Sequence, residues 1–177
     1  RKDGLSKIFK MYLGDVVHKE KRDTTSMNVL VNVIDYENDT PEYNKVKLDM
    51  RGNVQYSSMI TTLCSFQPRS DFIVSLIHVL LKTKTNEQIM VLAHNKNLLT
   101  YIHDALKENE ISVGYYVGGM KEADLKISET KKVVIATYSM ASEGLDIKTL
   151  TTLIMATPKT DICQSVGRIL RTNEHQP

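Results

Sequence analysis

Cysteine is scarce: only Cys64 and Cys163 occur in 177 residues, far apart and at no metal or redox spacing. That excludes a disulfide scaffold and a zinc ribbon, and a reduced intracellular chain is expected. Glycine (8) and proline (4) are also few, while 41% of the chain is hydrophobic, which excludes collagen-like and disordered chains. No apolar run approaches the roughly 18 residues of a membrane span. The longest, residues 72–81, is broken by Ser75 and His78, and no signal-peptide pattern is present. An excess of one charge is missing too, since Lys+Arg 23 against Asp+Glu 21 leaves a net charge of +2. A basic surface holding nucleic acid by its overall field is therefore not expected, and any phosphate contact must come from placed groups.

What is present suffices for one domain of ordinary size, or a domain with an arm. The chain opens at Arg1 without an initiator Met and stops at Pro177 without a tail signature, as expected of a piece of something longer. Residues 1–22 carry Leu5, Ile8, Phe9, Tyr12 and Leu13 at helical spacing, then Lys19, Lys21 and Arg22. Residues 28–36 (NVLVNVIDY) are β-branched and predict a strand. Residues 37–54 are polar and turn-rich, with room for a short hairpin. Residues 55–64 predict a helix, and 69–82 a stronger one with Phe72, Ile73, Leu76, Ile77 and Leu80 on one face.

From residue 88 the pattern becomes regular. Residues 88–93 (QIMVLA) form a continuous apolar run, as in a strand buried on both faces. Residues 95–109 are an amphipathic helix through Leu98, Leu99, Ile102, Ala105 and Leu106. Further strands follow at 112–117, 132–136 and 151–156, and a last helix runs from about 160 to 171. Strands alternating with helices predict a parallel α/β sheet that binds ligands at the strands' carboxyl ends.

Four segments carry candidate chemistry. On a helix of 100° per residue with Gln164 at zero, Gly167 falls at about 300°, Arg168 at about 40° and Arg171 at about 340°. Ile162, Val166, Ile169 and Leu170 take the opposite side. One face is thus an apolar seam, and the other offers an amide and two guanidiniums suited to phosphate oxygens. Gly167 on that face lets another group approach closely. A solvated face with late arginines at a helix C-terminus is the plainer alternative. Residues 137–147 (TYSMASEGLDI) place the Thr137 hydroxyl at a strand's carboxyl end, with Gly144 turning Asp146 back to the same edge; a capped helix with a surface aspartate is the alternative. Residues 115–121 (YYVGGMK) expose backbone N–H groups at Gly118 and Gly119 before a helix, with Lys121 beyond; a simple tight turn explains them equally. In LAHN (92–95), Asn95 suits an N-cap, and His94 has no partner at metal spacing, so no metal site is expected.

In order and spacing these segments resemble the second RecA-like lobe of superfamily 2 helicases and translocases. QIMVLAHN looks like their motif IV, ATYSMASEGLDI like motif V and QSVGRILR like motif VI (Q-x-x-G-R-x-x-R). The resemblance covers residues 69–172. EGLDI together with GRILR is most similar to helicases of large DNA viruses, such as the poxvirus transcript-release and phage recombination helicases. Residues 1–14 are similar to the segment that follows motif III in these proteins. The resemblance implies a RecA-like lobe with a mostly parallel, helix-flanked sheet over residues 28–177, an irregular insertion at about 37–66, and an N-terminal helical arm over 1–27. It places a first motor lobe upstream.

By the same resemblance Arg171 would be an arginine finger, Arg168 a second γ-phosphate contact, and Gln164 a residue that orients the helix or meets the nucleotide. Gly144, Asp146 and Gly167 would lie on the nucleotide side. Asn95, Gly118, Gly119 and Thr137 would hold the phosphodiester backbone of DNA or RNA, fixing position without reading bases. ATP and Mg²⁺ are expected in the full-length enzyme only. The chain has no G-x-x-x-x-G-K-[ST] loop and no Asp-Glu pair after a strand. Tyr138 stands where many family members have Asp. The fragment is expected to be monomeric and inactive alone, without a membrane partner, and intracellular, in the host cytoplasm if viral. Two other classes compete: a non-catalytic RecA-like module that binds nucleic acid or protein, and a small-molecule α/β domain. The last would need a G-x-G-x-x-G loop, which neither LAHN nor YVGGMK supplies.

Overall fold

The computed structural model describes residues 6–14, 17–18, 30–83, 86–142, 147–160 and 162. Its centre is a four-stranded sheet of β1 (Ile89–Ala93), β2 (Val113–Tyr116), β3 (Val133–Thr137) and β4 (Thr152–Met155), in the order β2-β3-β1-β4. All three pairings are parallel. The helices are α1 (Ser6–Leu13), α2 (Pro41–Asn44), α3 (Tyr56–Ser65), α4 (Gln67–Thr83), α5 (Lys96–Glu108), α6 (Glu122–Glu129) and α7 (Tyr138–Ser142).

The alternation of strand side chains explains the two cores. Ile89, Val91 and Ala93 of β1, with Val133 and Ile135 of β3, face a layer built from Cys64, Ile73, Val74, Ile77, Leu98, Leu99, Ile102 and Leu106. Met90 and Leu92, with Val134 and Ala136, face Tyr116, Tyr138, Ala141, Ile147 and Leu150. The two central strands, β1 and β3, are buried on both faces and so read as apolar runs rather than as an alternation. Each fully buried aliphatic side chain contributes about 1.5–3 kcal/mol.

Chain direction decides which face each helix covers. α5 packs into the first core and connects β1 to β2, past β3. The next crossover returns from β2 to β3, and its helix α6 supplies Leu125 to the second core. Parallel crossovers are right-handed, so reversing the direction of travel puts successive helices on opposite faces. Asn95 caps α5, its Oδ1 accepting from the Asn97 N–H at 2.8 Å.

The regular half of the chain follows the predicted pattern, and the first half departs in two places. Residues 30–40 form neither helix nor strand, contrary to the strand expected over 28–36, and Leu30, Val31 and Val33 are exposed. Strand propensity is a preference for a pleated, paired surface, and no ladder partner lies beside them among the described residues. Tyr36 is held instead by aromatic contacts to Tyr43 (5.6 Å between centroids) and Phe72 (5.4 Å). That contact also explains the second departure: on α4 the buried line is Ser70, Ile73, Val74 and Ile77, while Phe72 turns outward to the insertion. The insertion contains the expected hairpin, a Leu48–Val54 bridge around a turn accepting at the Asp49 carboxylate. Of the last predicted helix, at about 160–171, residues 161 and 163–171 lie outside the described residues, and Thr160 and Ile162 are exposed.

Gly114 on edge strand β2 is a packing residue that pattern reading did not single out. A Cβ there would meet Ser128 Oγ at 2.9 Å, Ser128 Cα at 3.0 Å and Lys131 Cγ at 3.0 Å. The Ser128 Cα is backbone and cannot swing away, so α6 must shift to admit even one methyl group. Gly114→Ala should destabilise the fold by about 1–3 kcal/mol, measured by urea unfolding. Unchanged stability would mean that α6 does not sit against β2 as described.

Candidate functional site

The pairing registers determine which residues share the sheet's carboxyl edge. Ala93 pairs with Thr137, Leu92 with Met155, and Tyr116 with Ala136. The residues following each strand therefore emerge together: His94 and Asn95 after β1, Gly118 and Gly119 after β2, Tyr138 and Ser139 after β3, Thr157 to Lys159 after β4. Three of the four segments singled out in the sequence thus meet at one edge. Gln164, Gly167, Arg168 and Arg171, and Gly144 and Asp146, lie outside the described residues.

The opposite edge is closed by its own polar groups. Gln88 is buried and donates from Nε2 to the carbonyls of Glu129 (2.7 Å) and Lys131 (2.8 Å), while its Oε1 accepts from Thr149 at 2.6 Å. Glu87 Oε2 accepts from the hydroxyls of Thr151 (2.7 Å) and Thr152 (2.5 Å). These bonds tie the strand starts together and satisfy the buried polar groups there.

At the carboxyl edge the predicted residues differ in how free they are. Gly118 and Gly119 are exposed. A Cβ at Gly118 would meet only Met140 Sδ, at 3.9 Å, and one at Gly119 nothing within 4 Å, so both amides border open space. Gly119 also needs its lack of a side chain for its φ of +91°. The following helix α6 carries Glu122 and Asp124 in its first turn, which offset its positive end against an anion; Lys121 is the nearby cation. Asn95 spends Oδ1 on the helix cap, which leaves the Nδ2 amide for another contact. Thr137 is only 9% exposed, and its hydroxyl lies 3.2 Å from Ser139 Oγ, so this hydroxyl pair, with Ser139 exposed, is the group available there.

Other edge residues went unnoticed in the sequence or were set aside. His94 donates its backbone N–H to Thr157 Oγ1 at 3.1 Å, and its Nδ1 lies 2.9 Å from the same oxygen. The hydroxyl can accept the first bond and donate the second only if Nδ1 is unprotonated. The Tyr138 ring stacks at a tilt 4.7 Å from the His94 ring, and its hydroxyl donates to the Thr157 carbonyl at 2.5 Å. Burial pushes the Tyr138 phenol up from its ordinary pKa. Lys159 Nζ stands 5.6 Å from the Tyr138 ring centroid and is an exposed cation beside His94. Below them Arg69 Nη2 donates to the Ala156 carbonyl at 2.7 Å. The one signal for this group was the Thr-Pro-Lys run after a buried strand. Among the described residues no three or more His, Cys, Asp or Glu side chains are grouped to hold a metal. The described amides, hydroxyls and lysine at this edge can all donate hydrogen bonds to phosphate oxygens.

A parallel, helix-flanked sheet of this order is a RecA-like α/β fold. The model of the helicase conserved C-terminal domain family matches residues 71–173, and the chain belongs to that family. Its relatives come from large DNA viruses. A protein of Acanthamoeba polyphaga mimivirus is 38% identical over 99% of this chain. A protein of African swine fever virus (isolate Pig/Kenya/KEN-50/1950) is 26% identical over 97% of it. Both carry names that assign them provisionally to ATP-dependent RNA helicases. The chain spans 34% and 36% of the lengths of these two relatives. In fold it is similar to UvsW of phage T4, with a TM-score of 0.57 and 24% identity over 66% of this chain and 25% of that one. The C-terminal part of the Fun30 ATPase domain is similar at a TM-score of 0.53 and 12% identity, over 68% of this chain and 46% of that one.

The His94 environment has a testable pH consequence. Partial withdrawal of the ring from water, and then the Lys159 ammonium, lower its pKa from 6.5. A base whose folded pKa is depressed binds its proton more readily when unfolded, so this stability is complete above the unfolded value and declines as pH falls below it. Between pH 7 and 5 the wild type should lose more stability than His94→Gln. Equal losses in parallel denaturation series would contradict the neutral His94–Thr157 pairing.

Proposed function

We propose that this chain is the C-terminal motor lobe of an ATP-dependent nucleic-acid helicase or translocase, with residues 1–27 as the arm after a first lobe and 28–177 as the lobe itself. The observation that carries the reading is the shared carboxyl edge: Asn95, Gly118, Gly119 and Thr137 emerge beside the exit of β4, which leads toward Gln164, Arg168 and Arg171. Exposed amides and hydroxyls at that edge hold a phosphodiester backbone by position rather than by sequence. DNA and RNA both satisfy this chemistry.

Arg168 and Arg171 serve the nucleotide rather than the nucleic acid. Their guanidiniums reach ATP phosphates held by the upstream lobe and neutralise charge as the terminal phosphoryl group is transferred to water. In GTPases a comparable arginine accelerates the reaction by about 10³–10⁵. Gln164 and Gly167 set the helix against the nucleotide, with Gly144 and Asp146 on its ribose side. Magnesium, where bound, adds further neutralisation of the phosphates. Its ligands belong to the upstream lobe, as does the phosphate-cradling loop that this sequence lacks. The whole protein would then work inside cells, in the host cytoplasm for a viral enzyme.

The purified 177-residue chain should not hydrolyse ATP above an Arg171→Ala control. Turnover above that control would sink the two-lobe assignment. In the full-length protein, Arg168→Ala or Arg171→Ala should reduce hydrolysis by about 10³-fold or more, with single-strand binding largely retained. An equal loss of binding would make the arginines nucleic-acid ligands instead. Full retention of hydrolysis would remove both arginines from the catalytic machinery, and no hydrolysis by the wild-type full-length protein would favour a non-catalytic binding module.

Gly118→Ala separates ligand contact from folding, because the added methyl meets only Met140 Sδ at 3.9 Å. It should weaken single-strand binding severalfold at unchanged thermal stability, by filling the space a phosphate would enter. Undiminished binding in a fluorescence titration would remove Gly118 from the interface.

A further inference from the structure

The exit of β4 is tied down more heavily than closing the core requires. The Ala156 N–H donates to Leu92 of β1 at 2.8 Å, and the Ala156 carbonyl accepts from Arg69 Nη2 of α4 at 2.7 Å. The next carbonyl, Thr157, accepts from the Tyr138 hydroxyl at the start of α7 at 2.5 Å. The Thr157 hydroxyl engages His94 through its backbone N–H and Nδ1. Two consecutive residues are therefore held by three separate elements, and Arg69 is 87 positions away in sequence.

Neither the Arg69 nor the Tyr138 contact is explained by apolar packing alone. Arg69 Nη1 is buried with no hydrogen-bond partner, so the guanidinium is only partly compensated for leaving water. Tyr138 buries a hydroxyl where Phe would fill the same volume. Their common product is a fixed pair of carbonyls where the chain leaves the sheet. Beyond them, residues 158–160 are exposed and lead to 164–171.

We propose that Arg69 and Tyr138 are positioning residues that clamp the Ala156 and Thr157 carbonyls and so fix the direction in which the segment bearing Arg168 and Arg171 leaves the sheet. This rests on the role given to those arginines above. An arginine reaching across a cleft is sensitive to its starting point, since a misplacement of about 1 Å can cost about 10²-fold in rate. Neither clamp residue touches the nucleotide; each acts through the exit of β4.

The test uses the full-length protein with Tyr138→Phe, Arg69→Met and Arg69→Lys. In Tyr138→Phe and Arg69→Met, kcat for nucleic-acid-stimulated ATP hydrolysis should fall about tenfold or more. KM for ATP and affinity for a single-stranded oligonucleotide should stay within about twofold. Arg69→Lys, which can still donate to one carbonyl, should recover part of the loss. Amide hydrogen exchange should accelerate over residues 158–171 while β1 and β3 stay protected. Wild-type kcat and wild-type exchange over 158–171 in both variants would overturn the proposal, as would loss of β1 and β3 protection in Tyr138→Phe. If Arg69→Met does not fold, Tyr138→Phe, which deletes one hydroxyl, decides alone. Normal hydrolysis by Arg171→Ala would overturn the arginine-finger reading instead, and the exchange measurement would still decide whether the clamp exists.

Discussion

The parallel register around β1 is the constraint on which the other features depend. β1 pairs on both sides, with Ile89 level with Val133 and with Thr152, and its five residues are buried on both faces. Once three ladders are fixed in phase, the ends of four strands separated widely in sequence must appear in one row. A shift of a single residue would send every β1 side chain into the wrong core, so packing holds the register firmly. The positions of Asn95, Gly118, Thr137 and Thr157 are thus consequences of hydrophobic burial, although none of them contributes much of it.

The two edges of the sheet divide the work. At the amino edge, buried Gln88 and Glu87 bond carbonyls and hydroxyls of neighbouring segments and tie the strand starts together. At the carboxyl edge, exposed glycines, an exposed serine and a lysine remain beside a tightly bonded interior of Arg69, Tyr138 and Thr157. A site built this way combines groups that can meet a ligand with a support that does not yield. Such support holds the exposed groups at fixed positions relative to one another.

The regular half of the fold was legible because periodicity reports burial directly. The run 88–93 and the spacing of Leu98, Leu99, Ile102 and Leu106 specified β1 and α5 almost to the residue. Residues 28–36 misled because β-branched composition does not reveal whether a partner strand is available. Phe72 misled because helical spacing cannot show that an insertion covers one side of α4. In the site, strand ends and glycines could be read from sequence, and Gly118 and Asn95 stand where expected. The Arg69 and Tyr138 contacts could not, since they join residues 87 and 19 positions apart through carbonyls, which any residue carries.

The central claim is that the carboxyl edge, and not any other surface, meets nucleic acid. Hydrogen exchange of the full-length protein with and without a single-stranded oligonucleotide measures this most directly, because bound phosphates slow the exchange of the amides they contact. The account predicts new protection at residues 94–97, 117–120 and 137–140, with the amino-edge segments 86–88 and 149–152 unchanged. Protection confined to the amino edge or to the insertion at about 37–66, with the carboxyl edge unaffected, would contradict it.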